Sequence, residues 1–303
     1  MIAILAMYMI LASTFTLGKA ALMYVKPVFF IASRMIVSGL LLLGYVRFFR
    51  RSSWRLSPQD WALFALIILF HIYFSFVCEF VAMKTMDSFK ACLLYGLSPF
   101  LTALFTFFFF KECLSYYKKI GLAIGLLGFV PVLMSSAPQE GATFFYLSQA
   151  DMYMLWSVVS SVIGWIVMKR LVVRGYSPIM VNGIGMLAGG ILALITAGIA
   201  EAEWNFSAPW LGLITAFDMF VIYTGLTVVI ANIVCYNMYG FLLKRYSTTF
   251  ISFAGFTCPL FAALYGWLFL GEVITSWFFV SMVIITAGLY VFYKEELKEQ
   301  EIA

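Results

Sequence analysis

Charged side chains make up only 11% of the 303 residues, and histidine occurs once. Soluble domains carry about 25% charge, so an ordinary water-soluble fold is excluded. The five cysteines, Cys78, Cys92, Cys113, Cys235 and Cys258, show no CxxC spacing. With a single histidine they offer no ligand cluster for zinc, and neither metal nor cofactor is expected; buried, reduced thiols are the default reading. A Walker-type phosphate loop is missing too, which argues against direct ATP hydrolysis. Nor are there ten-residue alternating segments of the kind that build a transmembrane β-barrel; Leu101–Phe110 instead runs without a charge.

What is present is apolar: 64% of the chain is hydrophobic. Runs of spanning length fall near 2–23, 28–48, 61–83, 88–110, 119–136, 152–168, 178–199, 213–241, 249–270 and 274–293. At about 20 residues per transmembrane helix, ten spans nearly exhaust the chain. The expected fold is therefore an all-α integral membrane protein. On this layout 14 of the 19 lysines and arginines, from Arg47 and Arg50 through Lys169 and Arg170 to Lys294 and Lys298, fall on one side. The positive-inside rule then makes both termini cytoplasmic. The net charge of +5 reads as a topology signal and not as a nucleic-acid surface. The first run has neither a basic lead-in nor a small-residue cleavage site, so it is expected to be retained.

A proline and a glutamate thirteen positions later close an apolar run twice, 160 residues apart: Pro99 to Glu112 (PFLTALFTFFFFKE) and Pro259 to Glu272 (PLFAALYGWLFLGE). The same offset pairs Lys84 with Lys244 and Gly128 with Gly288, and an offset of 151 pairs Pro27 with Pro178, Met35 with Met186 and Gly39 with Gly190. Two five-helix repeats follow, at 1–137 and 151–294, joined by an external linker at 138–150 and followed by a cytoplasmic tail at 295–303. Because five is odd, the second repeat enters the bilayer from the opposite side. Inverted repeats supply two conformations of similar energy, open to opposite faces.

The paired proline-to-glutamate blocks, with the stretch Pro27–Arg34–Gly39, resemble the EamA-like, ten-helix members of the drug/metabolite transporter superfamily. The resemblance covers nearly the whole chain. It implies a central cavity between helices 1–4 and 6–9, peripheral helices 5 and 10, and export or exchange of small metabolites. Arg34, Pro99, Glu112, Pro259 and Glu272 occupy matching positions. Lys111 stands before Glu112 where glycine is usual, and Gly185 stands opposite Arg34. The substrate is not fixed by the resemblance.

Ionisable groups inside a span need a partner or an aqueous cavity. His71, Ser75 and Glu79 recur at i, i+4 and i+8 and share one face of helix 3. Two readings stand: interhelical bonding with Glu79 at the interface, or contact with substrate and protons, for which His71 titrates in the useful range. Asn232, Tyr236 and Tyr239 form a second polar stripe on helix 8, read either as interhelical glue or as substrate contact. Arg34 either snorkels outward or meets an anionic substrate group or Glu79. Asn182 caps locally or faces the cavity, and Trp156 and Trp165 offer aromatic surface. Asp218 is a further proton candidate if it lies deep. Pro99 and Pro259 are expected to kink helices 4 and 9, with Glu112 and Glu272 in gating or helix-end packing. Gly121, Gly125 and Gly128, and Gly185 with Gly189, form small-residue seams that serve contacts within one chain or in a homodimer.

The function expected is secondary-active transport of small polar or amphipathic metabolites, amino-acid-like or nucleoside-like, in a bacterial inner membrane, with proton coupling through Glu79, His71 or Asp218. An uncoupled exchanger or uniporter is the alternative; a channel, a structural protein and an intramembrane enzyme rank below it.

Overall fold

The computed structural model describes residues 2–49, 56–110, 115–131, 147–201, 213–244, 251 and 255–302. Among these the regular structure is helical, apart from one isolated antiparallel bridge between Val25 and Ile214. The helices are α1 (Ile2–Ala21), α2 (Pro27–Phe49), α3 (Pro58–Met83), α4 (Ser88–Tyr95), α5 (Ser98–Phe110), α6 (Tyr116–Leu127), α7 (Gln149–Val173), α8 (Pro178–Ala200), α9 (Phe217–Leu242), α10 (Cys258–Leu270) and α11 (Ser276–Ile302).

Seven stretches are long and apolar enough to cross a membrane: α2, α3, Ser88–Phe105, α7, α8, α9 and Ser276–Lys294. The protein is thus an all-α, multi-span membrane protein, with fewer spans of full length among the described residues than the ten expected. Parts of two expected spans, 119–136 and 249–270, lie outside the described residues. α10 begins only at Cys258, behind a 3-10 turn at Gly255–Thr257, and stops where Gly271 takes φ +66°. α6 ends at Leu127, with Gly128 capping it. α11 continues to Ile302, through the segment expected as a solvated tail.

Pro99 is the second residue of α5, following a two-residue turn at Gly96–Leu97 inside the span Ser88–Phe105; Pro259 is likewise the second residue of α10, following the 3-10 turn. Proline is tolerated in a first turn because its missing N–H would find no intrahelical acceptor there. Each proline therefore starts a helical segment. Wider π-helical turns interrupt α3 at Ile67–Phe74 and α9 at Val228–Cys235, nearly equivalent places under the 160-residue offset.

Close packing follows the glycines. Gly39 presses its α-carbon against the backbone of Leu187, where an added Cβ would lie 2.5 Å from the amide nitrogen, and Gly190 meets Ile36 at 2.9 Å in the same way. Those contacts exchange places under the 151-residue offset. Gly288 packs on the backbone of Gly125 at 2.4 Å, and Gly128 on Ile285 at 2.8 Å, which exchange under the offset of 160. The seams thus join α2 to α8 and α6 to α11 within one chain. α1 packs on α9 and α10, while α7 packs on α3, α4 and α5.

Candidate functional site

A cavity opens where α1, α2, α3, α4, α5, α7, α9 and α10 converge, with Gly255 just ahead of α10 also on its wall. Its volume is about 110 Å³, room for several water molecules at roughly 10–15 Å³ each. α8, which the resemblance placed around the cavity, supplies none of its lining residues.

The cavity wall carries a set of polar groups. Arg34 reaches it from α2, Glu79 from α3, Tyr95 from α4 and Ser161 from α7. Arg34 is only 2% exposed, so the snorkelling alternative is set aside: the side chain is enclosed by helices and does not reach an interface. Its guanidinium carbon lies 4.6 Å from the ring centre of Phe80, 4.8 Å from Phe76 and 5.6 Å from Phe30. Aromatic faces attract a cation through their quadrupole, with about 2 kcal/mol or more when desolvated, which helps offset the burial of this charge. Arg34 Nε nevertheless has no hydrogen-bond partner among the described residues. Tyr95 Oη lies 3.0 Å from Ser75 Oγ, so the helix-3 stripe and α4 meet here through hydroxyls.

Aromatic and thiol groups share the same wall. Trp165 stacks obliquely on Tyr239 at 3.9 Å between ring centres and lies 5.4 Å from Tyr236. Cys235, Cys92 and Cys258 border the same space. Many of the lining positions match across the halves: Glu79 answers to Tyr239, Phe76 to Tyr236, Tyr95 to Gly255 and Ser98 to Cys258 at the 160-residue offset. Arg34, Glu79 and Tyr95 all belong to the first half of the chain.

Several expected residues lie off the cavity. His71 is buried behind its wall, edge-on to Trp165 at 4.4 Å and packed on Gly164, with neither ring nitrogen bonded among the described residues. Asn182 donates to Asn237 Oδ1 at 3.0 Å, and Asn232 Nδ2 points at the sulfur atoms of Met35 and Met186, at 3.0 and 3.7 Å. Both asparagines are interhelical. Trp156 is 61% exposed on the outer face of α7, about two and a half turns from Trp165, which does line the cavity. Asp218 is exposed in the first turn of α9, where a carboxylate favours the helix dipole. Glu112 lies outside the described residues. Sequence reasoning missed Tyr95 and Ser161; the available signal was the serine cluster Ser157, Ser160 and Ser161 in an otherwise apolar helix.

One end of the bundle is tied by backbone and carboxylate contacts. Glu272 accepts from Ser88 N at 2.7 Å and Ser88 Oγ at 2.8 Å, capping α4. Glu201 accepts from Val28 N and Phe29 N, both at 2.9 Å, capping α2. Helix N-termini expose unpaired N–H groups that carboxylates satisfy. Lys90 pairs with Asp151 at 2.7 Å, and Lys26 N donates to Leu213 O at 2.9 Å. Lys19 Nζ donates to Met83 O at 2.7 Å and Met86 O at 2.8 Å, closing the C-terminus of α3. At the opposite end Lys169 Nζ donates to Leu243 O at the end of α9, and Asp60 pairs with Arg174 and accepts from Tyr176 Oη at 2.8 Å.

The chain matches the model of the EamA-like transporter family over residues 1–134 and 148–294. It is 30% identical over 291 residues to the S-adenosylmethionine/S-adenosylhomocysteine transporter of Chlamydia muridarum (strain MoPn / Nigg), covering 95% of this chain and 89% of that one. A protein of the same description from Chlamydia trachomatis serovar L2 is 29% identical, with 95% and 87% covered. One solved crystal structure superimposes with a TM-score of 0.65 at 18% identity, covering 95% of this chain and 94% of its own, which speaks to the fold alone. Membrane helices, a buried central cavity and a family match over nearly the whole length lead to one conclusion: the chain belongs to the EamA-like transporter family of the drug/metabolite transporter superfamily.

Proposed function

We propose that this transporter exchanges S-adenosyl amino-acid metabolites across a bacterial inner membrane, by alternating access around the central cavity. The observation that carries the reading is that Arg34 and Glu79 line the same cavity as Trp165, Tyr236 and Tyr239. An α-amino acid head group presents a carboxylate and an ammonium. The planar guanidinium suits the carboxylate, and Glu79 suits the ammonium. Trp165, Tyr236 and Tyr239 offer faces for a purine ring and, through their quadrupoles, for a sulfonium charge. The relatives named for S-adenosylmethionine and S-adenosylhomocysteine support the same substrate class.

The architecture we infer is ten spans in two inverted repeats, 1–137 and 151–294, with 138–150 as an external linker, 295–303 as a cytoplasmic tail and both termini cytoplasmic. Reciprocal contacts support it: Gly39 on Leu187 with Gly190 on Ile36, and Lys19 on the end of α3 with Lys169 on the end of α9. The lysines tie helices within a repeat, so each repeat moves as a unit. Glu272 to Ser88, Glu201 to Val28 and Lys90 to Asp151 tie one repeat to the other. In this orientation they close the external mouth, and opening it breaks them. His71 and Asp218 lie away from the cavity, and Glu79, which lines it, is assigned to the substrate ammonium, so the exchange is read as independent of a proton gradient.

Thermal stabilisation of the purified protein tests the substrate class. S-adenosylmethionine and S-adenosylhomocysteine should raise the unfolding temperature at concentrations at least about tenfold below those needed of adenosine or methionine alone, a difference of about 1.4 kcal/mol. Equal stabilisation by adenosine would remove the head group from the reading.

A further inference from the structure

Cys92 Sγ and Cys258 Sγ lie 3.3 Å apart, one on α4 and the other at the start of α10. Both are free thiols, both are buried, and both border the cavity. Neither has a part in the recognition of substrate argued above. We propose that they form a redox modification site: hydrogen peroxide entering the cavity converts the pair to a disulfide that fastens α4 to α10 and arrests transport. The chemistry and its location stand independently; the arrest rests on the alternating-access reading.

A disulfide needs about 2.05 Å between sulfurs, so the two sulfurs must approach by roughly 1.2 Å, through side-chain rotation and local backbone shift. The local backbone is suited to such a shift. α4 ends three residues beyond Cys92 at the Gly96–Leu97 turn, and Cys258 follows directly on the 3-10 turn Gly255–Thr257. α4 and α10 already pack against each other.

The reaction balances without a further reagent. One thiol gives its proton to solvent, and the thiolate sulfur attacks a peroxide oxygen. The O–O bond breaks, and the departing hydroxide takes up a proton as water, leaving a sulfenic acid. The second sulfur then attacks the sulfenic sulfur, the S–O bond breaks, and the hydroxyl leaves with the second thiol's proton as another water. Two thiols lose two electrons in all, and one peroxide becomes two waters. α4 belongs to the first repeat and α10 to the second. A covalent tie between them opposes any rearrangement that separates the repeats on this side of the cavity.

The test uses the full-length protein reconstituted in liposomes and titrated with hydrogen peroxide. Peptide mass spectrometry without reduction should find Cys92 linked to Cys258. Counterflow of S-adenosylhomocysteine should fall at least about tenfold and return when dithiothreitol is added. Cys92→Ser and Cys258→Ser, each compared with its own untreated rate, should resist peroxide, and Cys78→Ser should remain sensitive. Unfolding temperature provides a second readout, rising on oxidation in the parent and not in Cys92→Ser. Oxidation at other cysteines with no 92–258 linkage would overturn the site. Linked protein that exchanges at the untreated rate would overturn the arrest. Absence of counterflow before oxidation would instead count against the transport reading, while the linkage and the unfolding shift would still decide the thiol site.

Discussion

Replacing Arg34 with methionine removes the positive pole of the cavity and keeps its bulk. The side chain is enclosed by Phe30, Phe76 and Phe80, and an unbranched apolar residue fits such a cage. Burying a charge without full hydrogen-bond compensation is costly, and Arg34 Nε has no partner among the described residues, so Arg34→Met should fold with an unfolding temperature near that of the parent. Its effect should fall on binding. Truncating one partner of a buried, hydrogen-bonded charge pair costs about 2–5 kcal/mol, because the remaining charge stays buried without a partner. At about 1.4 kcal/mol per decade, the dissociation constant for S-adenosylhomocysteine should rise roughly 30- to 4,000-fold. Isothermal titration with S-adenosylhomocysteine and its carboxamide checks the assignment. The parent should prefer the carboxylate strongly, and Arg34→Met should bind the two forms alike. Folded Arg34→Met that keeps the parent's preference would refute the contact between Arg34 and the substrate carboxylate.

Glu272→Ala should lower the unfolding temperature in detergent, because the amide and hydroxyl of Ser88 lose their acceptors at the start of α4; a lost cap costs about 0.5–2 kcal/mol, and Glu272→Gln should cost less. Gly288→Val should unfold far more readily than the parent, since a Cβ there would lie 2.4 Å from Gly125 N; Gly44→Ala, with nothing within 4 Å, should match or exceed the parent by up to about 1 kcal/mol. Trp165→Leu should weaken S-adenosylhomocysteine binding roughly 5- to 150-fold, from about 1–3 kcal/mol per stacked base, whereas Trp156→Leu on the outer face should leave titration curves unchanged.

The helical, membrane-spanning nature of the chain was legible from hydropathy because each long span needs an unbroken apolar run. Pairs such as Gly39 with Gly190 and Gly128 with Gly288 were also legible, and these glycines sit at close helix contacts. Orientation about each helix axis was not. His71, Ser75 and Glu79 share a face by spacing, yet the π-helical turn at Ile67–Phe74 shifts the register between them. Glu79 enters the cavity, Ser75 bonds to Tyr95 beside it, and His71 falls behind Trp165. Trp156 and Trp165 look equivalent in an apolar sequence, and only packing separates the outward ring from the inward one. The role of Glu272 was readable as a helix-end contact, but its partner, Ser88, is 184 residues away and no local pattern names it. Arg34 could not be placed from sequence because a long stem allows either snorkelling or burial; the three rings around it decide the matter.

Exchange across a membrane is the central claim, and counterflow in proteoliposomes of the purified protein measures it most directly. Labelled S-adenosylmethionine supplied outside should accumulate in vesicles preloaded with S-adenosylhomocysteine, saturate with concentration, and remain unaffected by a protonophore. Uptake that is equal in loaded and empty vesicles, or that collapses when the proton gradient is dissipated, would contradict the account.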